Sequence, residues 1–167
     1  MPTSATPATA MLTRAGVPFQ VHEYTLAERH GRARDARPDY GLEAADALGV
    51  DPARMGKTLV ALVDGALVAA VLPVDRSLDL KALAAVTGGR RADLAEPAVA
   101  ERATGSVVGG ISPLAMRRAL PVVIDQALLS HPTVFVSAGR RGLQVELDPG
   151  DLARLAEAAV AAIARSG

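Results

Sequence analysis

A two-residue turn, Asp64-Gly65, between two apolar segments is the feature that most constrains the fold of this sequence. Lys57 to Val63 precedes the turn and Ala66 to Val74 follows it. Asp-Gly favours the left-handed backbone conformations of a tight hairpin turn, so the pattern predicts two paired antiparallel strands. The second segment contains Val68-Ala69-Ala70-Val71-Leu72, which is apolar on both faces of a strand. Such a strand belongs in the middle of a sheet that is covered on both sides.

Shorter helices and strands are predicted on both sides of this hairpin from caps, turn residues and apolar periods. The helices are expected from Thr6-Pro7 to Gly16, over Glu43 to Leu48, from Asp79 to Gly88-Gly89, over Glu96 to Ala103 and over Asp151 to Arg165. The further strands are expected over Phe19 to Thr25, Val122 to Ile124, Thr133 to Ser137 and Leu143 to Leu147. The closing helix is expected to bury Leu152, Leu155, Ala159 and Ile163.

The order of these elements, in which hairpins alternate with helices, predicts an α+β fold around a mixed, mostly antiparallel sheet. The length of 167 residues and the lack of a long linker favour a single domain over residues 1–167. Half of the residues are apolar, which is enough for a sizeable core. Residues 27–39 are basic and follow no helical or strand period, so they are predicted to form a mobile surface loop.

Charge and hydropathy exclude several partners. The 18 basic and 18 acidic residues cancel, so no overall field draws the chain to DNA or to an anionic membrane. No segment supplies the roughly 20 apolar residues of a membrane-spanning helix, and the N-terminus lacks the pattern of a signal peptide. We therefore expect a cytoplasmic protein without a membrane or DNA partner.

Several common catalytic patterns are also missing from the sequence. It has no cysteine, and therefore neither a thiolate metal site nor a cysteine nucleophile. His22, His30 and His131 lack the spacing of metal ligands. There is neither a glycine-rich nucleotide-binding motif nor a G-x-S-x-G motif. We expect no metal and no cofactor, and no strong nucleophile paired with a base.

Two segments can still carry chemistry. Gly105 to Pro113 is rich in glycine and small polar residues, and its N–H groups can hold a carbonyl oxygen or a phosphate. A strained turn explains the same composition equally well. Lys57 is one of only two lysines beside 16 arginines, and an arginine cannot replace a lysine whose compact ammonium matters. The alternative for Lys57 is a solvated side chain at a strand end.

Other polar residues are candidates for binding. Gln144 and Glu146 share one strand face and form either a solvated face or a polar wall for an ammonium group. Tyr24 shares a strand face with His22, although a single tyrosine usually packs in a core with its hydroxyl at the rim. Three arginine pairs form local basic spots that can contact a few phosphates, and they are Arg90-Arg91, Arg117-Arg118 and Arg140-Arg141.

A series of short motifs occurs along almost the whole chain, from Thr6 to Arg165, in the order found in one family. The motifs are Thr6-Pro7-Ala8, Phe19 with His22-Glu23-Tyr24, Gly56-Lys57-Thr58-Leu59, Leu78-Asp79-Leu80-Lys81, Thr104-Gly105, Gly109-Gly110-Ile111-Ser112-Pro113, Ile124-Asp125, Val136-Ser137, Gly142-Leu143 and Glu146-Leu147. Together they resemble the YbaK/EbsC-type aminoacyl-tRNA deacylases, which are relatives of the editing domain inserted in bacterial prolyl-tRNA synthetases.

The resemblance implies a curved mixed sheet, a half-barrel flanked by helices, and a freestanding enzyme that hydrolyses the ester of mischarged tRNA(Pro). It implies that the acceptor end of tRNA(Pro) is a partner, with prolyl-tRNA synthetase as a possible second one. The catalytic residues that it implies are Lys57, Gly109, Gly110 and Ser112. The substrate-binding residues that it implies are Tyr24, Tyr40, Thr58, Ser137, Gln144 and Glu146.

In the Cys-specific branch of that family, the resemblance implies that the substrate thiol attacks its own carbonyl and leaves as a thiolactone. Cys-specific members carry an acidic residue where this chain has Gln144, so Glu146 is a possible substitute for holding the α-ammonium group. Residues 29–37 are longer and richer in arginine than in those members and form either a contact with the acceptor stem or a neutral elaboration. The alternatives are an Ala-tRNA(Pro) or other small-aminoacyl-tRNA deacylase, and a non-catalytic module that binds tRNA or a synthetase.

Overall fold

The structure, a computed structural model, describes residues 5–25 and 39–166. Within these ranges the chain forms five α-helices and ten strands. The helices are α1 (Pro7–Ala15), α2 (Tyr40–Leu48), α3 (Leu80–Val86), α4 (Pro97–Thr104) and α5 (Pro149–Leu155). The strands are β1 (Phe19–Glu23), β2 (Gly56–Val63), β3 (Ala66–Pro73), β4 (Arg76–Leu78), β5 (Ala92–Leu94), β6 (Val122–Asp125), β7 (Val134–Ser137), β8 (Leu143–Leu147), β9 (Ala159–Ala161) and β10 (Ala164–Ser166). The loop predicted over residues 27–39 lies, apart from Asp39, outside the described residues.

The hairpin predicted around Asp64-Gly65 is confirmed. β2 and β3 pair along their whole lengths, with Val63 opposite Ala66 across the turn. Asp64 and Gly65 both take left-handed backbone angles, with φ of 48° and 87°, as a two-residue hairpin turn requires. β3 lies between β2 and β6 in a five-stranded sheet of order β5-β2-β3-β6-β9. The central position predicted for β3 is therefore also confirmed.

The α+β class and the mostly antiparallel pairing are confirmed as well. A second sheet has the order β1-β8-β7, and β10 pairs with β4 in a short ribbon. Between the strands of the described chain, parallel pairing is confined to the contacts of β6 with β3 and β9, and the isolated Met55–Phe135 bridge is parallel as well. The single expected sheet is divided, and in the described residues an isolated bridge between Met55 and Phe135 links the two larger sheets.

Apolar side chains fill both faces of the five-stranded sheet. On one face, Val71 and Ile124 pack with residues of α1, α5, β7 and β8 in the largest core cluster. On the other face, Leu72 and Val123 pack with Leu83 of α3. A third cluster lies beneath α2, where Ala44 and Ala45 contact the region of the Met55–Phe135 bridge. These clusters fix the two sheets and α2 relative to one another.

The predicted closing helix is wrong beyond Leu155. The chain leaves α5 there, Glu157 takes a left-handed φ of 51°, and the remaining residues form β9 and β10. Leu152 and Ile163 are buried as expected, but Leu155 is only half-buried and Ala159 is exposed. The alanine-rich segment has the composition of a helix, and pairing of β9 with the open edge of β6 overrides that propensity. The three-residue strands β4 and β5 were not predicted, since they are too short to show a period.

Asp125, at the end of β6, holds the C-terminal segment in its extended form. Its Oδ1 accepts hydrogen bonds from the N–H groups of Ile163 and Ala164 at 2.9 and 3.1 Å. Its Oδ2 accepts from the N–H group of Ala127 at 3.2 Å, and the residue is almost fully buried. None of the helices in the described part of the chain is long and apolar enough to cross a membrane.

We expect Asp125→Ala to lower the free energy of unfolding by about 2–4 kcal/mol, because it leaves buried N–H groups without an acceptor. Urea denaturation measures this change. Asp151→Ala is the matched control, since the carboxylate of Asp151 contacts the exposed Arg154 and its removal is expected to change stability by less than about 1 kcal/mol. Equal effects of the two substitutions would contradict the anchoring role of Asp125.

Candidate active site

A cavity of about 350 Å³ opens between the start of β2 and the paired strands β7 and β8. The first turn of α2 and the glycine-rich segment after α4 complete its wall. Six of the ten residues that the sequence pointed to line this cavity, and they are Tyr40, Lys57, Thr58, Gly109, Ser137 and Gln144. The structure thus brings together residues from four separate parts of the chain.

Gly56 allows the close approach of strands at which the cavity begins. The Met55–Phe135 bridge brings β2 against β7, and a Cβ atom at Gly56 would lie 3.1 Å from Val71 Cγ1 and 3.3 Å from Val136 Cγ1. Because glycine lacks that atom, β2 can pass this close to β7 without displacing either side chain. Beyond this point β2 and β7 belong to different sheets, and the space between them is the cavity.

Lys57 presents a half-buried ammonium group to this cavity. Burial lowers the pKa of Lys57, and the negative charges of Asp39 and Asp75 partly oppose that shift. No carboxylate of the described residues forms a salt bridge with Lys57. The ammonium group can therefore bind an anionic or polar ligand without first breaking an ion pair.

Two buried polar atoms of cavity-lining residues have no hydrogen-bond partner among the described residues. They are Oγ1 of Thr58 and Oε1 of Gln144. Buried polar groups in proteins are nearly always paired, because an unpaired one costs free energy of folding. A hydroxyl on β2 and an amide oxygen on β8 that both lack partners are suited to a ligand that carries its own hydrogen-bond donors.

The strand register sets the position of Gln144. Ser137 and Gln144 are paired across β7 and β8, so both side chains lie on the same sheet face, which borders the cavity. The Oγ atom of Ser137 accepts a hydrogen bond from the N–H group of Gly139 at 3.2 Å. That contact fixes the serine hydroxyl beside Gln144.

Gly109, in the glycine-rich segment, lines the cavity. Gly109 has a φ of 88°, and a Cβ atom there would collide with the ring of Tyr40. In the described chain, the N–H group of Gly109 has no hydrogen-bond partner. The N–H group of Gly110, by contrast, donates to the carbonyl of Val107 at 2.8 Å and closes a turn. Of these two glycines, Gly109 is therefore the one whose amide is available to bind a ligand.

Three other predicted site residues lie outside the cavity lining. Ser112 is buried, its Oγ accepts from the N–H group of Leu114 at 3.1 Å, and it lines a second cavity of about 210 Å³. Gly110 packs so closely on the Arg140–Arg141 backbone that a Cβ atom would approach it to 2.7 Å. Tyr24 packs against the apolar cluster beneath α2.

Glu146 also lies outside the cavity lining. It belongs to a polar network on the face of β8 that also carries Gln144. Its carboxylate contacts His22 Nε2 at 2.9 Å, the Thr133 hydroxyl at 2.5 Å and the Arg54 guanidinium at 3.6 Å. The hydrogen bond from Thr133 is the main cause of a lowered pKa of Glu146, and His22 and Arg54 add to it. Burial opposes this shift. A carboxylate with these partners is already satisfied by the protein.

Sequence reasoning missed some members of the site. Asp39 lines the cavity and also caps α2 by accepting from the N–H group of Leu42 at 3.0 Å. An aspartate directly before Tyr40-Gly41 is a helix-cap signal, which would have moved the predicted start of α2 to the cavity. Val108 and Ile111 also line the cavity, and their apolar side chains carried no separate signal.

Comparison with known proteins shows that this chain is similar to proteins that act on aminoacyl-tRNA. Residues 40–155 match the family model described as an aminoacyl-tRNA editing domain. Over 145 residues, 86% of this chain, the sequence is 32% identical to "Putative Cys-tRNA(Pro)/Cys-tRNA(Cys) deacylase EbsC" of Enterococcus faecalis (strain ATCC 700802 / V583), of which it covers 84%. Over 91 residues it is 36% identical to "Multifunctional Ser/Thr-tRNA deacylase ProXp-y" of Escherichia coli (strain K12), and this match covers 54% of each protein.

The fold agrees with the sequence matches. A solved structure described as "a putative trans-editing enzyme for prolyl tRNA synthetase" superposes with a TM-score of 0.80 and 25% identity, over 99% of both chains. The chain therefore belongs to the aminoacyl-tRNA editing domain family, and the resemblance seen in the sequence is confirmed. It is an aminoacyl-tRNA deacylase rather than a non-catalytic binding module.

We expect Gly109→Ala to lower the deacylation rate by about 100-fold, because the new methyl group displaces Tyr40 and the peptide beside it. Gly49→Ala is the matched control. Gly49 also has a positive φ, of 65°, but a Cβ atom there meets nothing within 4 Å. Both variants are expected to lose about 1–3 kcal/mol of stability through backbone strain. Equal rates for the two variants would contradict the placement of Gly109 in the site.

Proposed function

We propose that this protein is a trans-editing enzyme that hydrolyses the ester of Cys-tRNA(Pro). The observation that carries the proposal is the convergence of Lys57, the Gly109 amide and the unpartnered atoms of Thr58 and Gln144 on one small cavity. The name of the Enterococcus faecalis relative supports both the amino acid and the tRNA.

The hydroxyl groups in the cavity lining support a mechanism that depends on positioning. Within the part of the chain that the structure describes, Thr58 Oγ1 has no partner and Ser137 Oγ contacts a backbone amide, so neither is bonded to a base that would activate it. An aminoacyl ester is already reactive. Correct orientation and stabilisation of the developing oxyanion are therefore enough to hydrolyse it.

Each group in the cavity takes a role in this proposal that suits its chemistry. The N–H group of Gly109 donates to the ester carbonyl oxygen, whose negative charge grows in the transition state. The ammonium group of Lys57 binds the terminal ribose or phosphate of the acceptor end. Oε1 of Gln144 accepts a hydrogen bond from the α-ammonium group of the amino acid. Tyr40, Thr58 and Ser137 limit the size of the pocket around the side chain.

The four predicted residues outside the cavity lining support the site in this proposal. Gly110 closes the turn that presents Gly109, and Ser112 fixes the segment after it through Leu114. Tyr24 packs beneath α2. Glu146 is engaged with Thr133, so the α-ammonium group is assigned to Gln144 instead.

In this proposal the nucleophile of the bond-breaking step is the thiol of the substrate itself. The cysteine sulfur attacks the ester carbonyl carbon, a C–S bond forms and the bond from that carbon to the ribose oxygen breaks. The thiol proton ends on the ribose oxygen, which leaves free tRNA and a cysteine thiolactone. Water then hydrolyses the thiolactone to cysteine. The protein holds the reacting atoms together and stabilises the oxyanion in the first step.

A hydroxylated amino acid is the second candidate substrate. The unpartnered Thr58 hydroxyl can bond to a side-chain hydroxyl as well as to a thiol, and the Escherichia coli relative is named as a Ser/Thr-tRNA deacylase. Alanine remains a third candidate because one small group changes binding in such a pocket by only about 1–3 kcal/mol. The solved trans-editing neighbour supports prolyl-tRNA synthetase as the partner that delivers the tRNA.

We expect the wild type to deacylate Cys-tRNA(Pro) faster than Ser-tRNA(Pro) or Ala-tRNA(Pro) under single-turnover conditions. Lys57→Ala is expected to lower kcat/KM by about 100-fold, because it removes the charge that fixes the acceptor end. Lys81→Ala is the matched control, since Lys81 is the other lysine of the chain and is exposed on α3.

Two results would contradict parts of this proposal. Faster loss of serine or alanine than of cysteine would overturn the assigned amino acid and the thiol step. Equal kcat/KM for Lys57→Ala and Lys81→Ala would overturn the role of the cavity lysine.

A further inference from the structure

The peptide group between Val108 and Gly109 is held by a side chain that does not line the cavity. Nε and Nη2 of Arg141, in the turn between β7 and β8, donate to the Val108 carbonyl oxygen at 2.9 and 2.6 Å. Two hydrogen bonds that converge from one planar guanidinium on the same oxygen fix the direction of that carbonyl more firmly than a single bond would. Gly109 lines the cavity, whereas Arg141 does not.

Further contacts hold the same short segment. Oε2 of Glu101, on α4, accepts a hydrogen bond from the N–H group of Val108 at 2.8 Å. The Arg141 guanidinium carbon lies 4.1 Å from the centre of the Tyr40 ring, and that ring packs directly on Gly109. Arg141, Tyr40 and Gly109 therefore form one stacked unit at the wall of the cavity.

The geometry of a peptide group links this unit to the chemistry. In a trans peptide the C=O and N–H bonds point in opposite directions. Since the carbonyl of Val108 points at Arg141, the N–H group of Gly109 points away from it. The positive guanidinium also polarises the peptide group, which makes that N–H group a stronger donor.

We propose that Arg141 is a positioning residue for the deacylation reaction, which fixes the Val108–Gly109 peptide so that the Gly109 amide donates to the oxyanion. The proposal rests on the proposed function, because it needs an ester carbonyl in the cavity. Glycine permits rotation of the peptide beside it at little steric cost. Without Arg141 the amide therefore loses its fixed direction, while the cavity and the lysine remain.

The test separates positioning from tRNA binding. The maximal single-turnover rate is measured with the aminoacyl-tRNA that the wild type hydrolyses fastest, and Kd is measured with a non-hydrolysable 3′-amide analogue of it. Arg141→Ala is expected to lower the rate by about 100-fold, as the loss of an oxyanion donor does. Kd is expected to change by less than about threefold, because ground-state contacts remain.

Two companion variants separate positioning from a loss of charge or of fold. Arg141→Lys keeps the charge but makes a single hydrogen bond without stacking, so it is expected to restore only part of the rate. Arg154→Ala removes the same charge from an exposed side chain of α5 and is expected to match the wild type. Thermal unfolding of each variant identifies any loss that comes from misfolding.

Coupling to Glu101 gives an independent readout. Glu101→Ala releases the N–H group of Val108, and Arg141→Ala releases its carbonyl group. Because both act on the same residue, their combined effect on the rate is expected to be smaller than the product of the single effects. Glu101→Gln keeps an acceptor oxygen and is expected to behave like the wild type. Multiplicative effects would contradict a shared action on the peptide.

An unchanged rate for Arg141→Ala would overturn the proposal, and so would a loss explained entirely by weaker Kd, which would make Arg141 a phosphate contact. Full recovery in Arg141→Lys would also overturn it, because charge alone would then be sufficient. A wild type that prefers serine or alanine overturns the proposed substrate alone, since the Arg141 comparison is then made on that substrate.

Discussion

The isolated backbone bridge between Met55 and Phe135 is the contact on which the site depends. It joins two sheets that are otherwise separate, and it does so where Gly56 lets β2 pass against β7 and Val71. On one side of this point the sheets share a core. On the other side they diverge, and the gap between them holds Lys57 and Thr58 opposite Ser137 and Gln144. The cavity is therefore a consequence of how the sheets meet rather than of a dedicated binding loop.

The walls of this cavity carry groups that the folded chain leaves unsatisfied. The charged form of Lys57 is disfavoured by burial, and Thr58 Oγ1 and Gln144 Oε1 have no partners in residues 5–25 and 39–166. Each of these groups lowers stability, and the buried cores around β3 offset that loss. Such groups are prepared for a ligand because binding replaces missing contacts instead of breaking existing ones. Glu146, which is equally polar but fully engaged with the protein, shows the contrasting case.

The parts of this fold that could be predicted from sequence are those whose signals are local. The Asp64-Gly65 turn, the proline and Thr6 cap of α1 and the apolar run of β3 each depend on neighbouring residues. The C-terminal segment could not be predicted in this way, because its strands depend on the edge of β6 and on the carboxylate of Asp125. Those contacts join residues that are far apart in the chain, and the local sequence favours a helix instead.

The same distinction applies to the site. The resemblance identified ten residues, and the six that line the cavity include Lys57 and Gln144. No pattern in the sequence could show that the Gly110 amide is occupied, that Ser112 faces another cavity or that Glu146 is bound by Thr133. Arg141 lay within a basic pair that suggested phosphate contacts, whereas its guanidinium contacts the Val108 carbonyl and the Tyr40 ring. Roles of this kind depend on which groups a residue contacts in the folded chain, and the residue type alone does not determine those contacts.

Blocking the substrate thiol tests the central claim of this account most directly. Single-turnover deacylation of Cys-tRNA(Pro) is compared with that of S-methylcysteinyl-tRNA(Pro), and competition between the two measures binding of the methylated substrate. If the thiol is the nucleophile, methylation lowers the rate by about 100-fold or more while binding persists, since the attacking group within the substrate is lost. Similar rates for the two substrates would contradict the account and would assign the attack to a water molecule held by the protein.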